Sequence, residues 1–340
     1  MKIFVYEHIT SGALIDEYLP ASLAHEGNDM LTTIVNDMAE LADIELSILR
    51  DNRLEAIAII SNNPRHISHA INTAPEFQQY YDVALNNSDA VLVIAPETDG
   101  ILQKIQQSVL DKGKKLLGCL PSATQICSDK YECHQHFIGH SVAIPHTILA
   151  TDWSHHPFTS STGFIIKPRQ GAGCIDTLMF ENISALETWL TNTTNNLKDF
   201  IIQPYIQGIA ISLSALFDAH DSRILAVNQQ YIDLNDGCLS FHGCRVNSIS
   251  ETVFSLKQAA DITQEIQNAL SGLWGFVGID LIVTNNKAYI IDINPRLTTA
   301  YVGLHQSIGI NPAQLLLIMM NKGLAALPMT IERQPIEVLI

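Results

Sequence analysis

The sequence predicts an N-terminal α/β domain with a parallel sheet, followed by a larger α+β unit built on antiparallel strands. Three observations carry that expectation. Short apolar runs alternate with helix-like segments through the first 120 residues, as crossover helices on a parallel sheet require. From Pro121 onward strand-like runs succeed one another, and FVGIDLIV and AYIIDIN are separated only by the turn sequence TNNK, a hairpin pattern. A chain of 340 residues is also too long for one small core, so two or three domains are expected.

In the first domain, residues 1–120, the runs KIFVYE, LEAIAII, AVLVIAP and KKLLGC read as strands. Between them IVNDMAELADI and the amphipathic ILQKIQQSVLDKG read as helices, the second ending at Gly113 as a helix C-terminus should. Ligands of such sheets gather at the carboxyl ends of the strands. Those ends carry Glu7, Ser11 and Gly12 in one place and Glu97 and Thr98 in another. No Gly-x-Gly-x-x-Gly follows the first strand, which argues against a dinucleotide site; Glu97 also reads as an ordinary acid at a helix start.

Beyond Pro121, SDKYECHQHFIGHS reads as a helix entered through Ser128 or Asp129, with Asp129 and Glu132 at capping-box spacing. GFIIKP, FIIQPYIQG, AISLSALFD and ILAVNQQYIDL then read as strands, and a helix over about 255–272 leads into the hairpin.

Composition narrows the function. A hydrophobic share of 47% with 16% charged residues describes a folded chain, and no apolar run reaches the ~18 residues of a membrane span. A net charge of −16, from 19 basic and 35 acidic residues, argues against nucleic acid and anionic membranes as partners. The start MKIFVYEHIT lacks the order of a signal peptide, so a cytoplasmic location is expected. Scattered Cys119, Cys127, Cys133, Cys174, Cys238 and Cys244 read as reduced thiols.

Two acids are out of place. Asp280 lies in FVGIDLIV and Asp292 in AYIIDIN, with Asn294 two residues further on; burying such groups in apolar strands is costly unless something pairs with them. A two-residue turn at Asn285-Asn286 would set Asp280 opposite Ile291 and split the acids between faces. An odd loop or a bulge would bring Asp280 opposite Asp292 on one face. In that register Asp280, Asp292 and Asn294 form a hard oxygen set suited to Mg²⁺; the alternative is a solvated hairpin edge. Lys167 ends the apolar run GFIIK and precedes Gly171-Ala172-Gly173, so an ammonium and exposed backbone N–H groups together suggest a phosphate grip. Lys130, at the start of a helix, would oppose the helix dipole without an anionic partner.

The order Lys130, Lys167-Pro168, a glycine loop, Gln203-Pro204-Tyr205-Ile206, Asp280, then Asp292-x-Asn294-Pro295-Arg296 resembles the ATP-grasp superfamily over about residues 121–310. YEHITSGAL, SLAHEGNDML, IAPETDGIL and NPRLTTAYVGL further resemble its tyramine–glutamate ligase group, associated with methanofuran synthesis. The resemblance implies a preceding α/β domain (1–120) and an ATP-grasp unit in two parts, 121–205 and 206–340. It implies that Lys130 and Lys167 contact nucleotide phosphates and the adenine side. Gly171, Ala172 and Gly173 would form a flap over the phosphates, and Gln203, Pro204, Tyr205 and Ile206 the hinge along the adenine edge. Asp280, Asp292 and Asn294 would hold Mg²⁺, with Mn²⁺ as a substitute, and Arg296 would steady the transferring phosphoryl group. Three positions depart from the pattern: Gln203 stands for a common acid, Ala210 for a ribose-binding glutamate, and Asp292 for a glutamate, with Ser212 and Ser214 near Ala210 as replacement hydroxyls.

The activity implied is ATP-dependent joining of a small-molecule carboxylate to an amine through an acyl phosphate, with glutamate and tyramine as the narrower expectation. Glu7, Ser11, Gly12, Glu97 and Thr98 are the candidate substrate residues, with Arg245 as a carboxylate anchor. A ligase for another amino acid and amine, and a non-catalytic ATP-binding sensor or scaffold, are the alternatives; monomer and homodimer both stay open.

Overall fold

A strand order of β3-β2-β1-β4-β5, every pair parallel, organises the first part of the chain. The computed structural model describes all residues except Ala172 and Asn286 and the side chain of Ser61. The first unit runs β1 (Lys2–Glu7), α1 (Ala21–Ala39), β2 (Glu45–Asp51), α2 (Ala58–Ser61), β3 (Ile67–Ile71), α3 (Ala74–Asn87), β4 (Ala90–Ile94), α4 (Ile101–Asp111) and β5 (Lys115–Leu116). The order reverses between β1 and β4, so the crevice of the sheet opens where β1 ends at Glu7 and β4 leads on to Glu97. Helix α4 stops as expected, with Gly113 at φ 66° and its N–H bonded to the Leu110 carbonyl.

One predicted strand is not a strand. LEAIAII turns at Leu54 and then winds into α2, burying Ile57 and Ile60 three residues apart while Ile59 stays exposed. That spacing is helical, and an unbroken apolar run cannot reveal it. The strands lie on either side of it instead, as ELSILRD and ISHAI.

The second part runs α5 (Pro121–Ser128), α6 (Lys130–Phe137), β6 (Ile148–Leu149), β7 (Phe164–Pro168), β8 (Leu178–Phe180), α7 (Ile183–Asn192), β9 (Phe200–Pro204), β10 (Ile209–Phe217), β11 (Ser222–Asn235), β12 (Cys238–Val246), α8 (Leu256–Ala269), β13 (Gly275–Val283), β14 (Ala288–Asn294), α9 (Leu304–Ile308), α10 (Pro312–Lys322) and β15 (Ile336–Leu339). Its strands are all antiparallel, in the order β14-β13-β10-β11-β12-β8-β7-β9-β6, with β15 added to β12. β11 and β12 are joined by Asp236-Gly237, both at positive φ (49° and 79°), the backbone that a tight hairpin needs. That turn also carries the seam between the two halves of the sheet. β8 meets β12 only at Leu178 opposite Cys238, secured by Met179 N–H to Gly237 O (2.7 Å) and Leu239 N–H to Thr177 O (3.0 Å).

The α1 face of the first sheet shares one core with residues 297–331: Leu31, Ile34 and Val35 of α1 are fully buried in the cluster that holds Tyr301, Leu304 and Leu315. Each such side chain contributes roughly 1.5–3 kcal/mol, which docks the two units firmly. A second core under β10, β11, β13 and β14 is closed by α5, α6 and α8, and a small third one fills the β6–β9 half. Among the described residues no helix is long and apolar enough to cross a membrane.

Candidate functional site

The hairpin resolves its own puzzle. Near the turn Val283 faces Ala288 and Leu281 faces Ile290, the register of a two-residue turn. A bulge between Leu281 and Asp280 then absorbs Ile291, so Asp280 faces Asp292 and Gly278 faces Asn294. The two carboxylates and the amide therefore share one face. Asp280 accepts from Gln230 Nε2 (2.8 Å), which reaches from β11 across β10, and from Asn294 Nδ2 (3.1 Å). Burial, and then the neighbouring Asp292 charge, push the Asp280 carboxyl up to about 6. Because Asn294 donates through its amino group, its amide oxygen is left as an acceptor.

Lysines face this oxygen set. Helix α6 is capped by Asp129, which accepts from Tyr131 N–H (2.9 Å) and Glu132 N–H (3.2 Å) and is gripped by Arg169 Nη2 at 2.6 Å. The helix start is thus locked to the end of β7, with Lys130 as its first residue. Lys130 Nζ lies 3.1 Å from Asp292 Oδ2 and donates to Gly171 O at 2.7 Å. Burial opposes its charge, but Asp292 and Glu97 outweigh that and hold the ammonium above its ordinary range. Lys167 is 6% exposed on β7, and no described side chain or carbonyl bonds its ammonium. Burial, reinforced by Lys130, lowers it to about 8. Gly171 and Gly173 have φ of 136° and 68°, with open space where a Cβ would stand; Ala172 lies outside the described residues.

The segment Gln203 to Ile206 leaves β9 along the same cleft. Gln203 is buried and its Nε2 donates to Thr147 Oγ1 (2.8 Å), whose hydroxyl in turn donates to Pro145 O (2.8 Å). That chain orients the amide and leaves the Gln203 oxygen as a free acceptor. Pro204 pairs with Phe164, and Tyr205 N–H bonds Gly163 O at 2.9 Å, so this stretch keeps its path beside β7; Ile206, half-buried, continues it. Ala210 is half-buried, and the nearby hydroxyls of Ser212 and Ser214 both accept from Asn228 Nδ2.

Arg296 follows β14 by two residues. Its Nε is 2.8 Å from Glu97 Oε1, an ion-pair distance without hydrogen-bond alignment, and the aligned bond runs from Nη2 to Oε2 at 3.1 Å. Burial works against this guanidinium, but Glu97, Glu26 and Asp292 together hold it above its ordinary range. Glu97 thereby joins the first domain to the site. Thr98 opens the short turn that follows, and the next residue, Asp99, gives its N–H to Gln170 Oε1 (3.0 Å) beside the glycine loop.

Glu7, Ser11 and Gly12 are used differently. Glu7 is 3% exposed, and its oxygens accept from Ile9 N–H, Thr10 N–H and Thr10 Oγ1; burial raises its pKa. Ser11 Oγ bonds the His8 carbonyl, and Gly12, at φ 90°, sits where a Cβ would collide with Ile71 at 2.6 Å. These three build the loop between β1 and α1. Arg245 is not gathered with the others: it is exposed on β12, paired with Gln229 and Glu337, on the face opposite to Cys244 and Gln230.

Four residues of this arrangement carried no sequence signal. Gln230, Thr147 and Gln170 are amides and a hydroxyl of ordinary type, and Glu26 is one of the acids of α1. Their importance depends on sheet order and domain docking, although SLAHEGNDML did single out the segment holding Glu26.

The family described as ATP-grasp domain matches residues 127–300, and that described as pre ATP-grasp 3 domain matches residues 44–124. A tyramine–L-glutamate ligase of Methanocaldococcus fervens is 26% identical over 313 residues, 89% of each chain. A D-alanine–D-alanine ligase of Pseudothermotoga lettingae is 25% identical over 59% of this chain and 68% of its own. Among solved structures, an Archaeoglobus fulgidus protein assigned to the ATP-grasp superfamily superposes with a TM-score of 0.69 at 25% identity, covering 93% of this chain and 88% of that one.

Proposed function

The chain belongs to the ATP-grasp domain family and is an ATP-dependent ligase, and from that premise we propose that it joins a small-molecule carboxylate to an amine through an acyl phosphate. The observation that carries this reading is the convergence of Asp280, Asp292 and Asn294 on one face, with Lys130 on Asp292, Arg296 nearby and Lys167, unpartnered among the described residues, in the same electrostatic neighbourhood. Such a set is costly to bury empty and suits a polyphosphate with its cation.

The donors fit a hard divalent metal. Asp280 and Asp292 face each other across the hairpin, and the Asn294 oxygen is spare. These three residues would hold Mg²⁺, or Mn²⁺ in its place, which when bound neutralises developing charge on phosphate oxygens. Lys167 and Lys130 would bind phosphate oxygens, and the Gln203 oxygen would accept from the adenine amino group. A substrate carboxylate oxygen attacks the γ-phosphorus and the bond to ADP breaks, with Arg296 stabilising the transferring group. The amine nitrogen then attacks the acyl carbon, a C–N bond forms and phosphate leaves. The Gly171–Gly173 loop, tied to Lys130, would keep water from the acyl phosphate.

The tyramine–L-glutamate ligase relative supports glutamate, activated at its side-chain carboxylate, as acyl donor and tyramine as amine, a step of methanofuran-type cofactor synthesis in the cytoplasm. The D-alanine–D-alanine ligase relative favours a second reading, the coupling of two amino acids. ADP release with Mg²⁺-ATP over a grid of amino acids and amines, with products weighed by mass spectrometry, separates them. An amide of glutamate and tyramine supports the first reading, a dipeptide the second, and ATP bound without ADP in any well refutes both.

A further inference from the structure

Glu26 and Glu97 of the first domain both act on the Arg296 charge, and Glu7 lies against α1 at Gly27. Glu7 spends both oxygens on its own loop, and Glu97 is paired with Arg296. Glu26 differs. It stands in the second turn of α1, half-buried, and its Oε1 accepts from Thr299 Oγ1, three residues beyond Arg296. No described residue donates to its Oε2. The helix around it is pinned, because Gly27 packs so closely that a Cβ there would lie 2.8 Å from Glu7 Oε1. Glu26 is thus a carboxylate in a fixed position, close enough to Arg296 to act on its charge, with one oxygen uncommitted.

We propose that Glu26 is the carboxylate that receives the ammonium of the attacking amine and removes a proton from it. The inference rests on the ligase reading above. An alkylammonium has no lone pair, so it must lose one proton before its nitrogen can attack the acyl carbon. Glu26 takes that proton, the C–N bond forms, the bond from acyl carbon to phosphate oxygen breaks, and the nitrogen's second proton leaves with the phosphate. Glu26 then returns its proton to solvent. The same carboxylate selects the nucleophile class: a primary ammonium satisfies Oε2, whereas a second carboxylate would be repelled by it.

The test compares two nucleophiles on the full chain with Mg²⁺-ATP and glutamate: tyramine, cationic at neutral pH, and hydroxylamine, which is largely uncharged there and needs no base. Mass spectrometry reads amide and hydroxamate. In Glu26→Gln the ratio of amide to hydroxamate should fall about 100-fold relative to wild type, the lower range for losing a positioned base, and Thr299→Val should lower the same ratio about tenfold. An unchanged ratio in either variant, including a parallel loss of both products, overturns the proposal. If the wild-type chain makes neither ADP nor hydroxamate from any carboxylate, the ligase reading itself fails and the proposal falls with it, a result distinct from a changed ratio.

Discussion

Lys130 Nζ stands 3.1 Å from Asp292 Oδ2 and 2.7 Å from the carbonyl oxygen of Gly171. One ammonium therefore ties the hairpin carboxylates to the glycine loop. With both side chains largely buried, removing one partner strands the other's charge. Lys130→Met should destabilise the protein by about 3 kcal/mol, the low end for a broken buried pair, measured by urea denaturation. Added Mg²⁺ should recover part of that loss in the variant and little in wild type; an equal response in both would show that Asp292 is not the stranded charge.

The Glu97–Arg296 pair allows chemistry to be separated from folding. Arg296→Ala should keep ATP binding and lose about 100-fold in turnover, the scale of one transition-state donor. It should also lower the melting temperature, because Glu97 is left buried without the guanidinium it pairs with. In the double variant Arg296→Met, Glu97→Gln, stability should return while turnover stays low. Turnover returning with stability would remove Arg296 from the chemistry.

Lys167 predicts a pH dependence with a definite sign. Its folded pKa is near 8, below its ordinary 10.5, so between those values the unfolded chain binds the extra proton and stability rises with pH. ATP binding should run the other way and weaken above about pH 8, because phosphate needs the ammonium. Urea midpoints and ATP titrations from pH 7 to 9, below the range where the buried thiols titrate, should show both slopes in wild type, and Lys167→Met should flatten both. A wild-type slope surviving in the variant would assign it to another group.

Gln203 should read the base. Its oxygen is freed by the bond from its amino group to Thr147, so Gln203→Leu should weaken ATP about tenfold, near the ~1–1.5 kcal/mol of one hydrogen bond. GTP, which presents an acceptor at that edge, should be little affected. Competition titrations measure both, and equal losses would place the base elsewhere.

Gly27→Ala tests the packing of α1. Alanine favours helix, but its Cβ would lie 2.8 Å from Glu7 Oε1 and 2.9 Å from Glu7 Cδ. Overpacking of this kind costs about 1–3 kcal/mol, so the melting temperature should fall. A rise would mean that Glu7 yields freely.

Residues whose burial is expensive were readable from the chain alone. Asp280, Asp292, Lys130 and Lys167 stand out because charged groups interrupt apolar runs or oppose a helix dipole, and the structure brings them into one neighbourhood. The register that sets Asp280 opposite Asp292 is one of the two that the sequence allows, and a bulge produces it. What could not be read depends on order in space. Nothing adjacent in sequence tells that β10 lies between β11 and β13, so the Gln230–Asp280 bond was invisible, and an Arg245 in strand register could not be assigned a face. LEAIAII has the composition of a strand but buries Ile57 and Ile60 at helical spacing. Asp236-Gly237 was a legible turn that would have supplied β12.

The joint between β8 and β12 has a mechanical meaning. A sheet resists bending across a pair of strands through the rungs that link them, and β10 and β13 run bonded along their whole length, whereas Leu178 and Cys238 make a single rung. On one side of that line lie Lys167 and Gln203; on the other lie Asp280 and Asp292. Thermal motion will crease the sheet there before it disturbs any longer ladder. Bending at that joint is opposed from the helix side, where α6 packs in the β10–β14 core and holds the end of β7 through Asp129–Arg169 and the glycine loop through Lys130–Gly171.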